Sequence, residues 1–492
     1  DFIKYDIKIE GKNYNHDEKN IPANKGTITH SGVPSGKYTV TVKATLNGYQ
    51  TPLSPDLRKI PYATGTETVV VKAGQTEKAN ITMSGDGFCK DCKFELKEPT
   101  CTEDEALHQT CKKPAHNDTH FVVAGSALPH ELRWVETTAP SFVKEGVEKG
   151  TCTGSGCQHT ETRHTDPLPI TGIGDWNTAI GQIVDTSASY ALLLANDNTI
   201  TIGQVSENSL PANLTITGYG KVRTIQLTNT GSLFTIGSGK SLTIKDIELQ
   251  GNPSNNASLV SVNGGTFTMN GNSSVTGNKI ASGYGGGVTV QNSGNFFMND
   301  NSSVTGNGTN SGHGGGVYVI VGILKMSGNA SVSDNTANGT SVMQTGRGGG
   351  VIVISGTFEM SGSASVSDNT SKGVATGGGV CVGADSTFKM SDNASVSNNT
   401  ASDTTAGYGG GVYILNADFI MLGGTITGNN ALSQGGGVCV AMRSFTMSGG
   451  TISGNTATTG ESLYVINGTA KYSNGENIIA TGNNTNDPIT GK

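Results

Sequence analysis

From about residue 169 onward, apolar side chains return in a fixed order at intervals of 25 to 34 residues, set among Gly, Asn, Ser and Thr. The first landmark is Gly-Gly-Gly-Val, with its valine at Val288, Val317, Val351, Val380, Val412 and Val438 and degenerate forms at Phe234, Val260 and Leu463. The second is an apolar-x-Met strand: Phe267/Met269, Phe296/Met298, Phe358/Met360, Phe388/Met390, Phe419/Met421 and Phe445/Met447, with Ile323 or Leu324 ahead of Met326. The third is a hydroxyl-apolar-hydroxyl triplet ending near an Asn, as in Ser331-Val332-Ser333-Asp334-Asn335 and Ser365-Val366-Ser367-Asp368-Asn369. Successive side chains of a strand point to opposite faces, so Val, Phe, Met and Ile turn inward and Ser, Thr, Lys and Tyr outward. Three short strands per period, with length variation confined to the loop before the glycines, predict a right-handed parallel β-helix. Its rungs bury their inward side chains only by stacking on one another.

About ten such rungs fit before Asn483, a rod of about 50 Å at ~4.8 Å per rung. The turn residues Asn278, Asn307, Asn335, Asn369, Asn399, Asn429 or Asn430 and Asn455 predict an internal amide ladder, because stacked carboxamides bond to the rungs above and below and Asn tolerates the left-handed turn. An open end would be a sticky sheet edge. The stretch Asp175-Trp176-Asn177-Thr178-Ala179-Ile180-Gly181-Gln182-Ile183 reads as a short amphipathic helix over the first rung, with Asp175 at its N-cap and Trp176 closing the core.

At these residues the chain resembles the pectin-lyase-like superfamily, and more narrowly the repeat-rich surface proteins of treponemes and other host-associated bacteria. The phrases Pro211-Ala212-Asn213-Leu214-Thr215-Ile216-Thr217-Gly218 and Ser232-Leu233-Phe234-Thr235-Ile236, with the Gly-Gly-Gly-Val repeats, look like those of adhesin-like β-helices and of chlamydial polymorphic outer-membrane proteins. The resemblance spans about 310 residues. It speaks for the fold more than for a function, since a fold hosts many functions.

Upstream the pattern changes twice. In residues 1–86, Tyr38-Thr39-Val40-Thr41-Val42 and Thr68-Val69-Val70-Val71 are separated by turn residues, the pattern of a small β-sandwich. Gly32-Val33-Pro34-Ser35-Gly36-Lys37-Tyr38-Thr39-Val40 and Val71-Lys72-Ala73-Gly74-Gln75 resemble the carboxypeptidase-regulatory-like or transthyretin-like modules that bacteria use as surface spacers. Residues 87–168 hold six of the eight cysteines and a degenerate tandem duplication with an offset of 41, which lays Pro99 on Pro140 and Cys111 on Cys152. The same offset lays Cys89 on His130 and His116 on Cys157. Exchange of thiol for imidazole suits zinc ligands and not a disulfide. The candidate ligands are Cys89, Cys92, Cys111 and His116 in the first copy and His130, Cys152 and Cys157, with His159 or His164, in the second. Disulfides such as Cys101 to Cys111 and Cys152 to Cys157, as expected of a secreted spacer, and free thiols are the alternatives. Pro99-Thr100-Cys101-Thr102-Glu103-Asp104 and Gly150-Thr151-Cys152-Thr153 also look like Cys-rich repeats found between modules of bacterial surface proteins.

Charge narrows the function classes. Of 492 residues only 14% are charged, with a net charge of −7, and no Lys/Arg block supplies the phosphate-neutralising surface that nucleic acid requires. The longest apolar stretch, near Tyr190 to Ala195, is far short of the ~20 residues of a membrane-spanning helix. The start at Asp1-Phe2-Ile3 suggests a processed secreted protein or a trimmed chain. A glycosidase needs paired carboxylates and a lyase a base with a cation, but charges in the repeats are mostly singletons. Only Asp334 and Asp368 stack, where they share a cation or are simply solvated. The outward residue of the Gly-Gly-Gly-Val-x-Val strand runs Ser261, Thr289, Tyr318, Ile352, Cys381, Tyr413, Cys439 and Tyr464. An apolar stripe of this kind, with Tyr318, Ile352, Tyr413 and Tyr464 as its largest members, is either a binding surface or covered by the preceding loops or a neighbouring chain. Cys381 and Cys439, two rungs apart, are expected to be free thiols. The Ser/Thr pairs flanking each third-strand apolar residue form a hydroxyl ladder, read as a solvated β face or, less simply, an ice-binding one.

The sequence therefore predicts an all-β chain: a β-sandwich (1–86), a Cys-rich repeat spacer with a structural zinc or disulfides (87–168), and a right-handed parallel β-helix of about ten rungs (169–492). The expected function is a non-catalytic adhesin or structural protein at the bacterial cell surface or outside the cell, with a host or matrix protein or glycan as partner. The alternatives are a self-assembling fibre or surface-layer subunit and a polysaccharide lyase or hydrolase.

Overall fold

A computed structural model describes residues 3–12, 14–22, 29–31, 33–46, 60–72, 92–97, 100–101, 106–111, 119–122, 129–339, 346–372, 376–403, 407–479 and 482–492. The fold is all-β, 3% helical, a parallel β-solenoid of right-handed type with about ten turns preceded by small antiparallel sheets. The chain forms two compact units, Asp1–Glu136 with Glu148–Arg163 and Thr137–Val147 with His164–Lys492.

In the second unit, three long parallel sheets hold the three landmarks. The inward Phe and Met of one sheet are fully buried and in register from turn to turn: Phe358 lies opposite Phe388, Phe388 opposite Phe419, and Phe419 opposite Phe445. Their rings stack at 4.8, 4.6 and 5.0 Å; each such pair adds ~0.5–1.5 kcal/mol beyond its buried area. The column is interrupted where Leu324, and not Ile323, takes the inward place opposite Phe296. The predicted Asn ladder is present. Asn307, Asn335, Asn369 and Asn399 each donate their backbone N–H to the carboxamide oxygen of the next Asn, at 2.9 to 3.0 Å, and Asn429, not Asn430, continues the series to Asn455. These carboxamides are buried, so each supplies partners that the turn backbone would otherwise lack.

The left-handed residue of that turn is not the ladder Asn but the one before it: Gly277, Gly306, Asp334, Asp368, Asn398, Gly428 and Gly454 all have positive φ. Gly, Asn and Asp are the residues that tolerate this conformation.

Seven of the turns, from the one containing Lys279–Ile280 onward, also contain a fourth short strand that the pattern does not reveal. After the Asn turn, segments such as Thr336–Asn338, Thr370–Lys372 and Thr400–Ser402 form a seven-stranded parallel sheet of their own. It explains the triple glycines, since a Cβ at Gly349 would stand 2.3 Å from the Gly378 carbonyl oxygen and 2.5 Å from the Thr370 carbonyl carbon. Only glycine lets the two backbones approach so closely.

The solenoid is closed at both ends by its own chain. At the start, the helix Ile173–Gln182 buries Trp176 and Ala179 in the core. Its N-cap is Gly172, not Asp175; Asp175 lies in the first turn and accepts bonds from the Thr171 N–H at 2.8 Å and hydroxyl at 2.6 Å, the backward reach of a capping-box carboxylate. At the other end the chain reverses, and Asn477–Ile479, Asn484–Thr485 and Ile489–Thr490 pair antiparallel with the last strands of the three long sheets.

The first unit begins with one four-stranded antiparallel sheet, in the order Tyr14–Pro22, Ile3–Gly11, Gly36–Leu46, Ile60–Val71. Tyr38 is buried on it with Ile7 and Ile9, and its hydroxyl donates to the Pro34 carbonyl at 2.9 Å. Then come Cys92–Lys97, Ala106–Cys111 and Thr119–Val122, followed by Leu132–Thr138, Gly146–Cys152 and Thr160–Thr165. Each trio forms a sheet with its second strand in the middle. The second trio repeats the first at the spacing of 41 found in the sequence.

Candidate functional site

Four ligand-type side chains converge within the first unit. One ligand atom each from Cys101, His130, Cys152 and Cys157 lies within 4.8 Å of all the others. Cys101 Sγ is 3.2 Å from Cys152 Sγ, and Cys157 Sγ is 3.3 Å from His130 Nδ1. Local backbone places them. Cys152 ends the strand Gly146–Cys152, and a tight turn carries the chain from it to Cys157, whose N–H donates to the Gly154 carbonyl at 3.1 Å. Gly154 is required there, because a Cβ would lie 2.5 Å from Cys101 Sγ. The Thr153 N–H donates to Glu131 O at 2.9 Å, which holds the turn beside His130. The His159 ring stacks on His130 at 3.8 Å and its Nε2 lies 3.0 Å from Glu161 Oε1.

Crowding polarises the thiols. Hydrogen bonds, chiefly from Cys157 and then from Cys101, the Gly154 N–H and His130, pull the Cys152 thiol down to about 6. Cys101 is pushed up to about 12, first by its hydrogen bond to Cys152 and then by that to Cys157. The hydrogen bonds thus favour the thiolate form at Cys152 over that at Cys101.

Of the predicted ligands, the structure unites His130, Cys152 and Cys157. The fourth member is Cys101, which the duplication does not single out, in place of His159 or His164; His164 pairs with Glu145 at 3.2 Å. Cys89 and His116 lie outside the described residues. Cys92 and Cys111 are register partners on adjacent antiparallel strands. A second group, His16, Glu18 and His30, also brings three ligand atoms within 4.8 Å. There burial, then the neighbouring His16, lowers the His30 pKa.

The outward stripe of the solenoid lies under cover. Tyr318, Ile352 and Tyr413 are 6%, 1% and 7% exposed and form a second apolar cluster with Cys381, Cys439 and Ala441, against which the part-buried Tyr464 packs. The cover comes from the loops ahead of the glycines, where Arg347, Thr376, Tyr408 and Gln434 bridge one another in parallel. Tyr284 stacks on Tyr318 at 4.6 Å. Burial pushes up Tyr318 and Tyr413, raises the Cys439 thiol, and takes Cys381 to about 11. Both cysteines are free and buried, so they stay protonated at neutral pH.

Asp334 and Asp368 occupy the left-handed position of neighbouring turns, which accounts for an Asp there without a ligand. Among the described residues, no further His, Cys, Asp or Glu joins them in a metal-holding group. The ion pairs on the coils, Lys325 with Glu359 at 2.8 Å and Arg443 with Asp385 at 2.6 Å, are solvent-facing links between turns. No helix among the described residues is long and apolar enough to cross a membrane. Comparisons with protein-family models, with curated proteins and with solved structures find no match to this chain.

Proposed function

We propose that the chain is a non-catalytic surface or secreted protein of a bacterium that presents its solenoid as a rigid rod to a host or matrix protein or glycan. The observation that carries this reading is the closure of both ends. The helix bearing Trp176 covers the core at one end and three reversed strands pair with the last strands of the long sheets at the other, which opposes end-to-end growth. What the rod offers is its side. Along it run regular polar ladders: Asn329 Nδ2 donates to Asn301 Oδ1 at 3.0 Å and Asn301 Nδ2 to Asn272 Oδ1 at 3.1 Å, beside the Ser/Thr rows at Ser303/Thr305 and Ser331/Ser333. A flat, repeated array of hydroxyls and amides suits the hydroxyl-rich surface of a glycan or an extended polypeptide.

The resemblance to surface members of the pectin-lyase-like superfamily supports the same reading. A glycan and extracellular-matrix array probed with the full chain tests it, alongside a reducing-end assay on the bound polysaccharides. Binding to a defined ligand without new reducing ends is expected. New reducing ends would replace this reading with a polysaccharide-degrading enzyme, and concentration-dependent fibres with no ligand would replace it with a self-assembling subunit.

A further inference from the structure

The convergence of Cys101, His130, Cys152 and Cys157 has no use in a glycan-binding rod, and its geometry is that of a metal cage. We propose that these four residues bind one zinc ion in a closed, tetrahedral Cys3His site that clamps three separate stretches of the first unit. Zinc bound by thiolate at ~2.3 Å and imidazole at ~2.0 Å in tetrahedral geometry sets ligand-to-ligand edges of about 3.5–3.8 Å. The observed sulfur–sulfur edge of 3.2 Å and sulfur–nitrogen edge of 3.3 Å reach those values with movements of a few tenths of an ångström.

The donor set selects the metal class. Three thiolates and an imidazole are soft to borderline ligands, suited to zinc and not to calcium or magnesium, which require oxygen. Four protein ligands leave no open position for a water or substrate, so the site is structural.

The surroundings belong to a cage more than to a disulfide. A Cys101–Cys152 bond would use two of the four groups and leave Cys157 and His130 converging on nothing. Gly154, where any side chain would strike Cys101 Sγ, keeps the centre open to the ligand atoms. His159, itself paired with Glu161, stacks on the His130 ring as an outer shell. On binding, zinc takes the three sulfur lone pairs and the imidazole nitrogen lone pair, and the thiol protons pass to solvent. The duplication adds a check: the position of Cys157 holds His116 in the other copy, so the site should accept imidazole there.

The test uses the full chain, reduced, loaded with zinc alone and dialysed, with bound metal measured by atomic emission. His130→Ala and Cys157→Ser should each hold one zinc per chain less than the parent. Cys157→His and His164→Ala, the latter at a residue outside the cluster, should keep the parent's content, which shows that loss in the first pair reflects ligation and not a failure to fold. Cobalt loaded in place of zinc should give a tetrahedral spectrum with thiolate-to-cobalt charge transfer, weakened by about one third in Cys157→His. Equal zinc in the parent and in His130→Ala and Cys157→Ser would overturn the proposal. So would a Cys101–Cys152 disulfide in a non-reducing peptide map of the zinc-loaded chain.

Discussion

From Ile170 to Ile489 a single apolar cluster runs through the solenoid, whereas the buried apolar residues of the first unit, among those described, are Ile7, Ile9, Tyr38 and Cys152. Both regions are built of β-strands, yet their stability has different sources. In the solenoid each turn is covered on two sides by near copies of itself, so Val, Phe and Met are removed from water by stacking, and the ends are sealed once. Sheets of three or four strands have no such neighbours. They fall in the size range where a disulfide or metal supplements a small core, and that is where the four-ligand cluster lies. A repeat stabilises itself by addition, and a small sheet by cross-linking.

The sharpest way to break the comparison is to damage the stack without touching the first unit. Phe388→Ala removes a ring stacked on both sides, by Phe358 and Phe419, and should cost ~3–5 kcal/mol, seen as a lower urea midpoint for the solenoid transition and an unchanged one for the first unit. Asn399→Ala should cost about 1–3 kcal/mol, because the buried Asn369 N–H and Nδ2 then lose their acceptor; amide exchange should rise at the flanking turns.

Alkali supplies a third, smaller effect. Cys381 is held up to about 11 by burial, against an ordinary value of 9.0. Its raised pKa therefore contributes stability fully below pH 9, and that contribution is lost as pH rises through about 11. The solenoid's melting temperature should fall over that window, with Cys381→Ser falling less, and Ellman's reagent should leave Cys381 and Cys439 unmodified in the native chain at pH 8. At the bottom of the scale, Lys325→Ala should change stability by ~0–1 kcal/mol, since its partner Glu359 faces solvent.

The solenoid was readable because its inward residues recur with a strand's alternation and a fixed order, and the Asn ladder followed from the same repeat. The fourth sheet was not readable. Its strands are two to five residues long and mostly Thr, Ala, Ser, Gly and Asn, with no apolar alternation to mark them; the signal was the triple glycine, whose need for close backbone approach had no partner in the sequence pattern. Cover over Tyr318 and Tyr413 by the preceding loops was one of the readings the stripe allowed; the residues that supply it were not legible, since Arg347, Thr376 and Tyr408 lie in loops of unlike length and sequence. Asp175 sits three residues into its helix because Gly172 can take the extended cap conformation and the carboxylate reaches back. In the four-residue cluster, His130, Cys152 and Cys157 are marked by the duplication, but Cys101 falls opposite Phe142 at the offset of 41. A ligand borrowed from outside its own repeat leaves no trace in a repeat alignment.

The claim that one region is held by stacking and the other by a metal is tested most directly by peptide-resolved hydrogen exchange on the full chain, zinc-loaded and then stripped with a chelator under reducing conditions. The account predicts that peptides within residues 129–163 lose protection on stripping and regain it with added zinc, while those within 189–472 keep the same exchange throughout. Unchanged protection in 129–163 after zinc removal, or parallel loss in both regions, would contradict it.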